Sequence, residues 1–255
     1  MSAEHRLNGT GGAALFGKHP GHGDFLSCGL PDGLGRLLSD WLGATLGEVS
    51  ALLDGQWDRL QTGTVALRFW IGGAITGEGP WRGVMRMSGD RVGRRYPLLI
   101  LQGTQPASLP LVEPDQGFYL VAEAVLAGLL AQPALEMAGV GQLLSARLSS
   151  YRPDAAMPSE HMFWAVRPGT GIEQLCAELA LADLLAGAGS RSYWWYVSEA
   201  VPQSAFLAQN GLPVARALAW LIGAGGAKPD AASDQAAVAE VGQGAERGPA
   251  GGGHE

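Results

Sequence analysis

Gly83-Val84-Met85-Arg86-Met87-Ser88-Gly89-Asp90-Arg91-Val92-Gly93-Arg94-Arg95-Tyr96-Pro97-Leu98-Leu99-Ile100-Leu101 decides how this chain folds. Gly83 to Met87 and Pro97 to Leu101 each read as a strand, and Ser88–Tyr96 reads as the loop joining them. Gly89 and Gly93 let that loop turn tightly. Upstream, Thr64 to Ile71 alternates: Val65, Leu67, Phe69 and Ile71 share one face, and Ala66, Arg68 and Trp70 the other. That period of two belongs to a strand. His161 to Val166 and the aromatic run Ser192 to Val197 read as further strands.

Helices lie between these strands. Asp32 reads as an N-cap, and Leu34, Leu37, Leu38, Trp41, Leu42, Val49, Leu52 and Leu53 follow it at helical steps, which places Trp41 in the core. Pro114-Asp115 opens a second helix to about Ala131. Leu135 to Leu148, Ile172 to Leu185 and Val214 to Ile222 read as three more, the last entered through Pro213. Strands in clusters with intervening helices predict an α/β fold. Its central sheet is mixed or mainly antiparallel, with helices packed against it in a single compact domain. Trp194 and Trp195 are neighbours on a strand, so they point to opposite sides of the sheet.

Residues 1–12 read as a flexible lead-in, 13–223 as the folded domain, and 224–255 as a disordered Gly/Ala-rich tail, which holds no aromatic residue. With 47% hydrophobic residues the 255-residue chain can bury a large core. Its formal charge of -7 argues against nucleic acid as a partner. The N-terminus lacks the apolar core of a signal peptide, and the apolar run Leu120 to Leu130 is broken by Glu123 and too short to span a bilayer. The expected location is the cytoplasm, without membrane insertion. Cys28 and Cys176 read as two reduced thiols there.

Two loops concentrate glycine, proline and charge. One is Phe16-Gly17-Lys18-His19-Pro20-Gly21-His22-Gly23-Asp24-Phe25; the other is the Ser88–Tyr96 loop. Arg91, Arg94 and Arg95 crowd three positive charges into five residues of an acidic chain, so some of them must meet carboxylates. Asp24 is the expected partner of Arg91 or Arg94, in a bidentate pair that would clamp the two loops into one surface. His19, His22 and Asp24 offer a chemical alternative, a metal-dependent hydrolase. Their spacing fits neither a helical ligand pair nor a known metal motif. Gly21-His22-Gly23 matches no phosphate-binding loop, and no nucleophile elbow surrounds Ser27. The residues therefore favour a protein that is not an enzyme and needs no cofactor.

G-K-x-P-x-x-G-D-F near the N-terminus, then D-R-V-G-R-x-[FY]-P-L, resembles the TagF/ImpM family of type VI secretion accessory proteins. A third element fits: Gly189-Ser190-Arg191-Ser192-Tyr193-Trp194-Trp195, then Gly211-Leu212-Pro213 before a last helix. The resemblance runs from about Phe16 to Ile222 and does not extend to the tail; His22 is an addition to the pattern. It implies a compact α/β domain in a cytoplasmic regulator. Such a regulator represses the secretion machine after translation by binding a scaffold that carries a forkhead-associated domain. The family's motif residues carry over onto Lys18, Pro20, Gly23, Asp24 and Phe25, and onto Asp90, Arg91, Gly93, Arg94 and Pro97, as partner-binding or loop-bracing groups. Some relatives are fused to a metal-dependent phosphatase. No matching acidic cluster stands in this chain, so that activity is not carried over.

Overall fold

A computed structural model describes residues 12–54, 66–148, 172–198 and 203–226. Seven strands form one sheet: β1 (Ala13–Gly17), β2 (Leu26–Cys28), β3 (Leu67–Ile71), β4 (Trp81–Gly89), β5 (Arg95–Gly103), β6 (Arg191–Ser198) and β7 (Gln203–Asn210). Their spatial order is β2-β1-β5-β4-β3-β6-β7. Every neighbouring pair is antiparallel. The helices are α1 (Asp32–Leu53), the single turn α2 (Gly73–Thr76), α3 (Gly117–Leu130), α4 (Met137–Arg147), α5 (Ile172–Ala188) and α6 (Ala215–Gly226), with a 3-10 turn at Pro106–Ser108.

Helices cover both faces of the sheet, and the alternation along each strand feeds two cores. On one face Leu67, Phe69, Ile71, Met85, Leu99, Leu101 and Trp194 meet α1 and α6. On the other, Trp70, Val84, Leu98, Ile100, Tyr193 and Trp195 meet α3 and α4. Trp194 and Trp195 thus enter different cores, and both are buried. The arrangement is an α/β domain with helices on each side of a wholly antiparallel sheet.

The stripe on α1 is Leu34, Leu38, Leu42, Thr45, Val49 and Leu53, all buried at three- and four-residue steps. Trp41 lies at the stripe's edge, only partly buried. It packs beside Trp194 at 5.3 Å and donates its indole N–H to the Pro213 carbonyl at 2.8 Å. Asp32 is the first helical residue and the cap position is Pro31, so the expected Asp32 cap is not made. Its carboxylate instead sits in the first turn, where the helix dipole favours negative charge.

Strands β1, β2 and β7 are not evident in the residue pattern. β1 is buried along its whole length, so it carries no alternation. β7, Gln-Ser-Ala-Phe-Leu-Ala-Gln-Asn, is poor in strand-favouring residues and holds its place by pairing with β6 over eight positions. β4 and β5 are longer than expected and shorten the connecting loop to Asp90–Arg94. The expected strand at His161–Val166 and almost all of the lead-in and tail lie outside the described residues.

Candidate functional site

β1 and β5 are adjacent, so the loop leaving β1 and the loop entering β5 emerge at the same end of the sheet. Gly17 closes the register. Its φ is 129°, and a Cβ there would stand 2.0 Å from the Pro97 carbonyl oxygen. Only glycine allows that approach. The next residue, Lys18, donates its backbone N–H to Pro97 at 3.2 Å.

Asp90 organises the tip. Its carboxylate accepts the backbone N–H groups of Val92 (3.1 Å) and Arg94 (2.9 Å) through Oδ1. Through Oδ2 it accepts Lys18 Nζ (2.9 Å) and Arg94 Nε (2.6 Å). The Asp90 side chain is fully buried, and the Arg94 side chain is 64% exposed. Burial alone would raise the Asp90 pKa. The Lys18 ammonium and the donors of Arg94 and Val92 outweigh it and hold the carboxyl well below the usual carboxylate range. Gly93, at φ 85°, completes the turn and donates to the Asp90 carbonyl at 2.9 Å.

Cross-loop bonds join the two segments. Arg94 Nη2 donates to the Gly23 carbonyl at 3.1 Å, and the Arg91 N–H donates to the His22 carbonyl at 2.9 Å. Phe25 lies over Lys18, whose Nζ is 4.8 Å from the ring centre, and meets the Tyr96 ring edge-on at 4.7 Å. The two loops therefore form one surface.

The clamp is not the one expected. Asp24 is exposed and pairs with no arginine among the described residues. Asp90 has its place because an aspartate opening a turn can bond the backbone two residues on. Lys18, carried down from β1, then reaches it inside the protein. A long-range contact of this kind leaves no mark in the spacing of either loop.

The histidines key the first loop to the α3–α4 connection. His19 is buried; its Nδ1 accepts the Gly21 N–H at 3.0 Å and its Nε2 donates to the Leu129 carbonyl at 2.9 Å. His22 Nε2 lies 2.8 Å from the Leu135 carbonyl oxygen. Pro20 is exposed at the second position of the turn closed by the His22 N–H and the His19 carbonyl. Gly21 lies against Pro133, whose carbonyl oxygen would be 2.3 Å from a Cβ. A nearby open cleft of about 380 Å³ is lined by Leu129, Gln132, Leu135, Glu136, Val140 and Leu143.

With both His19 ring nitrogens bonded to backbone, His19, His22 and Asp24 do not converge as a ligand set. Among the described residues no three His, Cys, Asp or Glu side chains group as metal ligands. Both cysteines are free thiols. The aromatic motif on β6 is structural: Trp194 donates to Ser192 Oγ at 3.0 Å, and Ser192 donates to the Gly211 carbonyl at 2.6 Å.

A second polar group lies on the α3 side of the sheet and carries no motif in the sequence. Arg68, buried on β3, makes a bidentate pair with Glu123 at 2.6 and 2.9 Å, and donates to Gln116 Oε1 at 2.8 Å. Trp195 Nε1 donates to the same oxygen at 3.0 Å.

The family model of the TagF N-terminal domain, type VI secretion system-associated, matches residues 14–145, just over half of the chain and spanning both loops. The chain belongs to the TagF family. The crystal structure of PA0076 from Pseudomonas aeruginosa PAO1 superposes on it with a TM-score of 0.64 at 26% identity. That match covers 82% of this chain and 93% of PA0076. No curated protein sequence matches significantly. As a TagF family member the chain is a type VI secretion accessory protein; the family is not one of known enzymes. Among the described residues no helix is long and apolar enough to cross a membrane.

Proposed function

We propose that this TagF family member is a cytoplasmic regulator that represses its type VI secretion system after translation, by binding a scaffold with a forkhead-associated domain. One observation carries the reading. The motif residues by which it resembles the family build a braced tip with exposed cationic and apolar side chains, and among the described residues no metal-ligand cluster accompanies them. A rigid exposed loop on a stable scaffold suits recognition, because little ordering remains to be done on binding.

Two experiments test this. The purified chain should capture the forkhead-associated scaffold of the same secretion system at physiological salt. Deleting the gene should give premature or excess secretion. Lost assembly after deletion would point to a structural part instead, and absence of capture would remove the scaffold from the proposal.

A further inference from the structure

We infer that the outer rim of the tip, formed by Phe25, Arg91, Val92 and Arg94, is the docking surface for an acidic segment of the scaffold that also carries an apolar side chain. This rests on the scaffold-binding function proposed above and says where, and through what chemistry, binding occurs.

The tip divides into residues that hold and residues that face out. Lys18 and Asp90 are inside; the Asp90 carboxylate spends its acceptor sites on the backbone of its own turn, on Lys18 and on Arg94. A buried ion pair is a poor source of stability compared with apolar packing. What this one secures is the path of the Asp90–Arg94 loop. That loop then presents Val92, 70% exposed, and Arg91, whose guanidinium has no hydrogen-bond or ion-pair partner among the described residues. The Arg91 backbone is nonetheless pinned to His22. Phe25, 49% exposed, adds a ring already held on two sides by Lys18 and Tyr96.

A single exposed apolar residue needs no explanation. Phenyl and isopropyl groups rimmed by guanidinium groups on a braced tip match an interface hot spot, where aromatic and arginine anchors dominate. Charge selects the partner. Lys18, Arg91 and Arg94 stand against Asp24 and Asp90, which leaves the tip positive on a chain of formal charge -7. An acidic segment is drawn to this point and repelled by the rest of the molecule. Exposed Asp24 restricts where on the tip the partner's carboxylates can sit.

The test measures the affinity of the full-length chain for the forkhead-associated scaffold, with R91E, V92D and R91K. R91E and V92D should each weaken binding about tenfold or more, as hot-spot changes do, at an unchanged Tm. R91K should stay within a few-fold, and added salt should weaken wild type more than R91E. Wild-type binding that survives both R91E and V92D would overturn the tip as the interface while leaving the function intact. Loss of binding with a lowered Tm would make these bracing residues and overturn it too. Absence of wild-type binding would overturn the proposed function and this inference together.

Discussion

Lys18 Nζ sits 2.9 Å from Asp90 Oδ2, with both side chains shut away from water, although the residues are 72 positions apart. The pair ties the exit of β1 to the turn between β4 and β5, and everything exposed on the tip depends on it.

Asp90→Asn should lower Tm clearly, because the buried Lys18 ammonium loses its counter-charge. The folded carboxyl is held well below its ordinary value. Its stabilising contribution is therefore fully present above the unfolded carboxyl's pKa of about 4 and fades as pH falls below it. Thermal melts should show a constant gap between wild type and variant from neutral pH to about pH 5 and a shrinking gap below about pH 4. A gap independent of pH would show that Asp90 is not ionised in the fold.

Gly17→Ala should cost about 3 kcal/mol or more, combining left-handed strain with a methyl driven into the Pro97 carbonyl. Gly43→Ala is the control. Its Cβ meets nothing within 4 Å on α1, so it should gain about 0.5–1 kcal/mol. Urea midpoints of the two variants should move in opposite directions.

Trp194→Ala should cost about 3–5 kcal/mol. Its ring is fully buried and stacked on Phe69 at 4.8 Å. Trp41→Phe should cost only about 1–2 kcal/mol, since a half-buried ring is retained and one hydrogen bond to Pro213 is lost. Equal costs in chemical denaturation would mean that Trp41 belongs to the core after all.

Glu123→Ala should cost about 3–5 kcal/mol, because Arg68 is then left charged and buried. A double change, Arg68→Met with Glu123→Leu, should recover most of that loss if packing replaces the pair. Additive losses in a double-mutant cycle would show that the two side chains are not coupled.

The residue pattern alone determined the fold class, the β4–β5 hairpin, helix α1 and the opposed faces of Trp194 and Trp195. Each rests on local periodicity, which survives in a sequence because one side of each element must be apolar. It also singled out both motif loops, since glycine, proline and charge at that density mark a fixed backbone path. What it could not supply was distance. β1 and β7 were decided by the strands that flank or pair with them, not by their own residues. Asp24 and Asp90 are equivalent in the sequence, each an aspartate in a glycine-rich loop. Only the alignment of β1 with β5 brings Lys18 to Asp90 and leaves Asp24 in water. Likewise His19 resembled a metal ligand until α3 brought the Leu129 carbonyl to its ring. Contacts between residues far apart in sequence follow from the register of the sheet and the docking of helices on it. The tertiary structure alone therefore decided which charges are internal ties and which are left facing water.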